Sequence, residues 1–223
     1  EEILNICSFI DYQGEVSTLT NDIKENIITM SKKLNKEGLR VIAICQKNDI
    51  DKMSEFSVKD ESNMVLLGFI GFLDPPKESA KNSIERLNNH GIRVIVLTGD
   101  NAEVTKCVCD KVNINSKRIV LGSDIDKLSD LALLRILKKV NIFAKLSPIQ
   151  KARIVRLLKD DGNVVGYMGD GINDSPSLIN SDVGISVDTA VDIAKESADI
   201  ILLEKDLNIL LDGVTEGRRT FSN

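Results

Sequence analysis

The sequence contains one histidine, His90, and no cysteine pattern typical of a metal site. His90 precedes Gly91 at the predicted end of a helix, where a capping role is favoured. The four cysteines follow neither zinc-type nor C-x-x-C spacing: Cys7, Cys45, Cys107 and Cys109. A metal site of thiolate and imidazole is therefore not expected, and a reduced compartment is favoured over a disulfide framework. With no histidine base in a useful position, catalysis would have to depend on carboxylates, lysine and a metal ion.

Long apolar runs and basic clusters are also missing from the sequence. No run reaches the roughly 18–20 apolar residues of a membrane-spanning helix, so the chain as given is not expected to cross a membrane. The formal net charge is −5 and no basic block is present, which argues against a nucleic-acid surface. The sequence opens at Glu1-Glu2-Ile3 with no initiator methionine or signal peptide, and we interpret it as a segment of a longer protein.

Two consecutive prolines divide the 223 residues into two parts. The segment Asp74-Pro75-Pro76-Lys77 fixes two φ angles and removes two hydrogen-bond donors, so it forms a stiff joint and marks the expected domain boundary. Residues 1–73 are predicted to form a small α/β unit with these elements: a helix from Asn21 that is stopped by Gly38, a buried strand at Leu39–Cys45, a polar connection at Gln46–Asn63 and a strand at Met64–Leu73.

Residues 74–223 alternate between short apolar strands and amphipathic helices. This order predicts a largely parallel sheet that is covered by helices on both faces. The predicted strands are Ile92–Leu97, Arg118–Leu121, Asn141–Ala144, Val164–Met168, Val183–Ser186 and Asp199–Leu203. In such sheets ligands bind beyond the carboxyl ends of the strands, so the residues that follow each strand are the candidates for a site.

The segment from Gly169 to Pro176 follows one of these strands and carries two aspartates. Gly171 allows a sharp turn, and proline is tolerated in the first turn of the helix that follows. Asp170 and Asp174 would then stand at the mouth of a strand-to-helix turn. Mg²⁺ usually takes one or two carboxylates, several waters and a substrate phosphate, so the turn suits this ion. An acidic turn that only caps the helix is the alternative interpretation.

A second strand ends in the same way, at Thr98-Gly99-Asp100. Because the carboxyl ends of parallel strands lie on one edge of the sheet, this loop and the Asp170 loop can converge on one pocket. The Thr98 hydroxyl and the Gly99 amide are suitable donors to phosphate oxygens, and the positive end of the next helix lies nearby. An ordinary Gly-Asp turn is the alternative.

Two cations are candidates for holding an anion. Lys151 lies in the first turn of a helix that begins at Pro148, where the helix dipole disfavours a cation, so a bound anion would explain its position. A lysine that is merely exposed is the alternative. Arg40 stands at the start of an apolar strand, and the sequence leaves open whether it is structural or contacts an anion.

These residues together are the parts that phosphoryl transfer needs: Thr98, Lys151, Asp170, Asn173 and Asp174. Such catalysis depends on donors to the equatorial oxygens, a lysine, and Mg²⁺ held by carboxylates. No residue is an obvious nucleophile for in-line attack, so covalent turnover by this sequence alone is not expected.

The sequence resembles the cytoplasmic part of P-type cation-transporting ATPases over nearly its whole length. The motifs that carry the resemblance occur in the family's order: Asp74-Pro75-Pro76-Lys77, Thr98-Gly99-Asp100-Asn101, Lys151 in its helix begun by proline, and Gly169–Pro176. Two further runs, Asp182–Asp188 and Asp199–Leu207, are most similar to the bacterial magnesium-transporting branch.

The resemblance implies a haloacid-dehalogenase-like Rossmannoid phosphorylation domain at residues 74–223 and the C-terminal part of a nucleotide-binding domain at residues 1–73. It implies ATP and Mg²⁺ as ligands, and in the family the aspartate of a D-K-T-G-T motif takes the γ-phosphate. The full protein would lie in the cell membrane with this segment on the cytoplasmic side. The implied roles are Mg²⁺ binding for Asp170 and Asp174, phosphate contact for Lys151, Thr98 and Gly99, a hydrogen bond to the phosphorylated aspartate for Asn173, and approach to the nucleotide for Arg40, Asp100 and Lys145.

Three features of the family do not occur in this sequence: the D-K-T-G-T motif, the first half of the nucleotide-binding domain, and the membrane helices that bind the transported cation. Lys145 stands where the family often has arginine, and lysine cannot make the planar bidentate contact. The D-K-T-G-T strand is normally central in the sheet, so its absence leaves exposed edges. We therefore expect the segment to be inactive alone, and either to dimerise or to close the gap with another strand.

Two other functions stay open from the sequence. A soluble phosphatase of the dehalogenase class would need its own acceptor aspartate, for which residues 1–20 offer only Asp11. A regulatory module that binds nucleotide or Mg²⁺ without catalysis is the second alternative.

Overall fold

The computed structural model describes residues 2–48, 57–204 and 206–221. The chain divides into two compact units, Glu1–Pro75 and Pro76–Asn223. Helices and strands mix in both units, which confirms the predicted α/β class. Residues 49–56 of the predicted polar connection lie outside the described residues, and the described remainder contains one 3₁₀ turn at Val58–Asp60. Each helix among the described residues is too short or too polar to span a lipid bilayer.

The first unit is a four-stranded mixed sheet with helices. Its elements are α1 (Glu2–Ile6), β1 (Cys7–Tyr12), β2 (Glu15–Thr18), α2 (Asn21–Lys36), β3 (Leu39–Gln46) and β4 (Met64–Leu73). The strand order is β2-β1-β4-β3, with β1 parallel to β4 and the other two pairings antiparallel. Helix α2 and strands β3 and β4 lie where the sequence predicts them, whereas the β1–β2 hairpin has no counterpart in the prediction.

One face of this sheet is covered and the other is open. On the covered face, Ile23 and Ile27 of α2 pack with Leu66 of β4. On the open face, Ile42 of β3 stands opposite Ile70 of β4, and both are about half exposed. The prediction of a buried strand at Leu39–Cys45 is therefore wrong: exposed and half-buried residues alternate along β3. The run is apolar on both faces, so its composition does not reveal that only one face has a partner.

The second unit alternates strands and helices along its whole length. Its elements are α3 (Glu78–Asn89), β5 (Val96–Leu97), α4 (Ala102–Lys111), β6 (Ile119–Leu121), α5 (Gly122–Ile125), α6 (Asp130–Leu137), β7 (Ile142–Ala144), α7 (Pro148–Asp160), β8 (Gly166–Met168), α8 (Ser175–Asn180), β9 (Val183–Val187), α9 (Asp192–Glu196), β10 (Ile200–Leu202) and α10 (Leu207–Phe221). A 3₁₀ turn at Ile172–Asp174 precedes α8.

The strands of this unit pair only in parallel, as predicted, but they form two sheets instead of one. Three strands have the order β5-β7-β6, and three have the order β10-β9-β8. Strands β5 and β8 are each the edge of their sheet, and within the part of the chain that the structure describes no other strand pairs with these edges. The gap is thus not closed by a described strand, and dimerisation stays a prediction.

Helices cover the β5-β7-β6 sheet on both faces. Ile142 of β7 packs in a cluster with Ile84 of α3 and Cys109 of α4. The next residue, Phe143, points to the opposite face and packs with Leu133 of α6. Because successive strand residues alternate between faces, β7 is buried on both sides, as predicted for a parallel sheet.

Helix α7 joins the two sheets of this unit. Its residue Ile154 belongs to the cluster on the β5-β7-β6 sheet, and the adjacent Val155 belongs to the cluster on the β10-β9-β8 sheet. Leu97 at the end of β5 also packs against both clusters. The amino-terminal turn of α7 therefore has a fixed position relative to the strand ends of both sheets.

Candidate functional site

The loop after β5 is a compact turn held by Thr98 and Asp100. The Asp100 amide donates to Thr98 Oγ1 at 3.1 Å, and the Thr98 hydroxyl donates to Asp100 Oδ2 at 3.2 Å. Asn101 then caps α4 by accepting from the Val104 amide at 2.9 Å. Gly99 between them is exposed. The Thr98 hydroxyl, predicted to contact a phosphate, is thus engaged within its own loop, directly before a helix amino terminus.

The loop after β7 is bonded to this turn through the backbone. The Lys145 amide donates to the Asp100 carbonyl at 2.8 Å, and the Leu146 amide donates to the Thr98 carbonyl at 2.9 Å. Lys145 has φ +53, a left-handed conformation that is uncommon for a residue with a side chain. Its side chain is exposed. The loop after β5 and the loop after β7 are therefore held together by main-chain hydrogen bonds.

Helix α7 begins at the end of the same loop. Ser147 accepts from the Gln150 amide at 3.3 Å, and the Gln150 side chain accepts from the Ser147 amide at 2.9 Å. These reciprocal bonds form a capping box, and Pro148 occupies the first turn as predicted. Gln150 also donates to the Gly122 carbonyl at 3.0 Å. Gln150 was not among the predicted site residues, although the Ser-x-x-Gln spacing is the signal that identifies it.

Lys151 and Asp174 form an ion pair at the first turn of α7. Lys151 Nζ lies 2.8 Å from Asp174 Oδ1, and the two side chains are only 12% and 13% exposed. The Tyr167 hydroxyl donates to the same oxygen at 2.7 Å. The Gly171 amide donates to Asp174 Oδ2 at 3.2 Å. A nearly buried carboxylate thus accepts three hydrogen bonds from a lysine, a tyrosine and the backbone.

These contacts set the ionisation of the group. Burial acts to raise the pKa of Asp174, but the hydrogen bonds from Lys151 and Tyr167 outweigh it, and the pKa lies below the usual value. Burial, followed by the hydrogen bond to Asp174, raises the pKa of Tyr167. At neutral pH the carboxylate is therefore charged, and the phenol keeps the proton that it donates.

The turn after β8 leaves no room for a side chain at Gly169. A Cβ built there would lie 2.7 Å from Asp174 Cγ, which is closer than side chains approach. After this residue the chain passes through the 3₁₀ turn into α8, and Asp170 and Asn173 are both exposed on the turn. The glycine therefore allows the backbone to pack directly against the buried carboxylate.

The donor chemistry of this turn fits Mg²⁺ through a limited set of protein ligands. Among residues 2–48, 57–204 and 206–221 no group of three or more His, Cys, Asp or Glu could hold a metal ion. Both oxygens of Asp174 accept hydrogen bonds from within the protein, and Asp170 lies on the same turn with an exposed side chain. Mg²⁺ often takes one or two carboxylates and completes its shell with water and phosphate, which is compatible with the two predicted ligands.

The start of α7 links two of the predicted loops. Leu146, just before the helix, is bonded to the Thr98 turn, and Lys151, in its first turn, is bonded to Asp174. The second unit contains these predicted residues: Thr98, Gly99, Asp100, Lys145, Lys151, Asp170, Asn173 and Asp174. Arg40 belongs to the first unit, where it lies exposed on the open face of the sheet opposite Phe72.

Comparisons with known proteins agree with the resemblance seen in the motifs. The family model described as "P-type ATPase, cytoplasmic domain N" matches residues 1–79. The whole chain is 48% identical over 223 residues to the magnesium-transporting ATPase, P-type 1, of Escherichia coli strain K12, and covers 25% of that relative. The predicted resemblance to P-type cation-transporting ATPases is confirmed. The chain spans about a quarter of the length of the curated relatives that it matches.

Other relatives separate the branches of this family. The Salmonella typhimurium magnesium-transporting ATPase, P-type 1, is 47% identical over all of this chain, which again covers 25% of the relative. The calcium-transporting ATPase 1 of Bacillus cereus is 32% identical over 232 residues, with the same two coverages. The chain is thus more similar to these magnesium-transporting relatives than to the calcium-transporting one.

Proposed function

We propose that this chain is the cytoplasmic headpiece segment of an ATP-driven P-type cation pump in the cell membrane, and that the transported ion is Mg²⁺. The observation that carries the proposal is a pair of bonds around the start of α7: Leu146, just before the helix, is bonded to the Thr98 loop, and Lys151, in its first turn, is bonded to the Asp170–Asp174 loop. The identity to magnesium-transporting relatives over the whole chain supports the choice of ion.

The two units would have different functions in the pump. The first unit, which contains the residues matched by the cytoplasmic domain N model, would be the C-terminal part of a nucleotide-binding domain. Its open sheet face carries the cation Arg40 beside apolar side chains, a combination that suits a nucleotide with an apolar base and charged phosphates. The second unit would be a haloacid-dehalogenase-like phosphorylation domain that lacks one central strand, because β5 and β8 are both edges.

The roles in phosphoryl transfer follow from the positions. Lys151 would place its ammonium on the transferred phosphate, and the Thr98-Gly99 turn would supply donors at the amino terminus of α4. Asp170 would hold Mg²⁺, which neutralises charge that develops on the phosphate oxygens. Asn173 would donate to the phosphorylated aspartate, a residue that this sequence does not contain. Asp100 and Lys145, bonded through the backbone, would approach the nucleotide.

The alternative of a soluble phosphatase requires Asp11 as acceptor. Asp11 lies at the end of β1, and its Oδ1 accepts from the Gly14 amide at 2.8 Å in the hairpin turn. The residue thus has an ordinary structural role in that turn. A pump segment therefore accounts for the residues better than a phosphatase does.

A chimera tests the proposal. Residues 1–223 replace the matching quarter of the E. coli magnesium-transporting ATPase, and ATP hydrolysis and acid-stable phosphoenzyme are measured in membranes with added Mg²⁺. The chimera is expected to form phosphoenzyme, and Lys151→Met or Asp170→Asn is expected to lower its rate of formation by about 10²–10³.

The matched control is Lys106→Met, which removes an exposed lysine from α4 and should leave the rate within about twofold. A folded chimera without phosphoenzyme, or one in which Lys151→Met forms it at the unchanged rate, would contradict the proposed function.

A further inference from the structure

One oxygen of Asp174 is shared by two donors of different kinds. Lys151 Nζ and the Tyr167 hydroxyl lie 2.8 Å and 2.7 Å from Oδ1. The lysine contributes a charge on a flexible stem, whereas the tyrosine is a neutral donor on a rigid ring that is 8% exposed. The lysine ammonium can therefore move away from the carboxylate more easily than the tyrosine hydroxyl can.

The rigid donor is fixed by its packing. Tyr167 lies on β8 between the glycines at 166 and 169, and its ring belongs to the cluster with Val155, Leu178 and Ile185. The ring cannot turn away without opening this cluster. Lys151 is also nearly buried, at 12% exposed, but its unbranched four-carbon stem has several rotamers, and a change of rotamer can move the ammonium without displacing a ring from the cluster.

If Lys151 contacts a phosphate, as the proposed function requires, its ammonium has two possible anionic partners: the phosphate and the Asp174 carboxylate. If the ammonium turns to a phosphate, Asp174 loses its charged partner while its side chain is only 13% exposed. A buried carboxylate that loses its hydrogen bonds is costly, so the turn would be opposed unless other donors remain.

We propose that Tyr167 is a positioning residue that keeps Asp174 hydrogen-bonded and in place when Lys151 turns to a phosphate. With the lysine gone, Asp174 Oδ1 keeps the Tyr167 hydroxyl and Oδ2 keeps the Gly171 amide. The lysine can then move between carboxylate and phosphate at a low cost. This inference rests on the proposed phosphate contact of Lys151 and adds a residue that the motifs do not mark.

Tyr167→Phe tests the inference, because it removes the hydroxyl and leaves the packed ring. Inorganic phosphate is titrated into the 223-residue chain in the presence of Mg²⁺, and binding is followed by the amide resonances of Gly171 and Asp174. The variant is expected to bind phosphate about tenfold more weakly than the wild type, since Asp174 would retain only one hydrogen bond. Tyr12→Phe is the matched control: it is the only other tyrosine, is 70% exposed, and should not change the affinity.

A double-variant cycle separates positioning from a purely structural role. If Tyr167 acts through Asp174, Tyr167→Phe should change phosphate affinity by less than about twofold in an Asp174→Asn background, although it costs about tenfold in the wild type. An equal loss in both backgrounds, or a lower melting temperature with unchanged affinity, would overturn the inference and leave Tyr167 as a core residue.

The failure of this inference can be told from failure of the proposed function. If the wild type binds phosphate and Lys151→Met abolishes binding, the phosphate contact stands, and unchanged affinity in Tyr167→Phe overturns only the positioning role. If the wild type binds no phosphate, both fall together. Should Tyr167→Phe not fold, Tyr167→Met takes its place, since it also removes the hydroxyl and leaves an apolar side chain in the cluster: a loss of about tenfold in phosphate affinity supports the inference, and unchanged affinity overturns it.

Discussion

The loops that follow β5 and β8 share a Gly-Asp pair but are held in different ways. The Thr98 turn is fixed by hydrogen bonds of its backbone to the loop after β7, at 2.8 and 2.9 Å. The loop after β8 instead wraps around one nearly buried carboxylate, Asp174, which accepts bonds from Lys151, Tyr167 and Gly171. The first loop has main-chain bonds to its neighbour in addition to the Thr98–Asp100 side-chain bonds, whereas three bonds of the second loop meet at one side chain.

The two loops are therefore expected to differ in their sensitivity to substitution. The two main-chain bonds to the loop after β7 do not require particular side chains, so they should hold the Thr98 turn even when its Thr98–Asp100 side-chain bonds are removed. The loop after β8 is organised around the Asp174 carboxylate. A change in Asp174, in Lys151 or in Gly169, which packs on the carboxylate, should therefore affect the whole loop.

Substitution of the glycine in each loop should give the greatest difference in stability between the two loops. A Cβ at Gly169 would lie 2.7 Å from Asp174 Cγ, whereas one at Gly99 would have Leu146 O at 3.6 Å as its nearest atom, an ordinary contact. We expect Gly169→Ala to lower the free energy of unfolding by about 3 kcal/mol through overpacking. Gly99→Ala should change it by less than about 0.5 kcal/mol. Urea denaturation followed by circular dichroism measures both values. Equal effects of the two substitutions would remove the proposed difference between the loops.

A smaller effect is expected when the ion pair is broken. Lys151→Met leaves a carboxylate that is 13% exposed without its cation, and we expect a loss of about 2 kcal/mol of unfolding free energy. The two remaining donors keep the loss below that of a fully uncompensated charge. The measurement is again urea denaturation at neutral pH.

Lys138→Met is the matched control for this substitution. Its ammonium lies 2.9 Å from Asp161 Oδ1, but the lysine side chain is 58% exposed. An exposed pair of this kind contributes at most about 0.5–1 kcal/mol. If Lys138→Met proves as costly as Lys151→Met, burial is not what makes the Asp174 loop sensitive.

The smallest of the three effects concerns pH. Because the pKa of Asp174 is lowered in the folded state, the unfolded state takes up the proton first as the pH falls. The stability that Asp174 contributes is therefore fully present above the pKa of an unfolded aspartate, about 4, and is lost as the pH falls further towards the folded-state pKa.

Asp174→Asn isolates this contribution, since other carboxylates titrate in the same range. The hydrogen bond from the Val165 amide, for example, lowers the pKa of Asp182. The difference in unfolding free energy between wild type and Asp174→Asn should shrink between pH 6 and pH 3, by less than the cost of Lys151→Met. A difference that is constant with pH would mean that the three donors do not favour the charged form.

Much of the fold could be predicted because its strands are short, apolar and separated by marked helix starts. The bounds of β4 agree with the prediction, and Pro148 begins α7 as expected. The β1–β2 hairpin was missed because residues 1–20 show no regular alternation. Strand β5 covers only Val96–Leu97 of the predicted Ile92–Leu97, since it pairs with β7 alone and has no partner on its other side among the described strands.

The candidate site could be predicted in its residues but not in its bonds. The motifs placed Lys151 and Asp174 in one pocket, yet nothing in their spacing shows that they bind each other. In the sequence Tyr167 counts as an apolar residue of the run Val164–Met168, because an apolar pattern depends on the ring. The hydrogen bond of its hydroxyl to Asp174 cannot be read from that pattern. Gln150 was missed for a similar reason: a capping residue is identified locally, whereas its bond to Gly122 is a long-range contact.

A phosphate titration of the 223-residue chain with Mg²⁺, followed at the backbone amides of both loops, tests whether the loops share one pocket. If the two loops form one pocket, the Gly99 and Gly171 resonances should shift together, with the same midpoint, and Lys151→Met should abolish both shifts. A shift of one loop without the other, or two different midpoints, would contradict a shared phosphate and Mg²⁺ site.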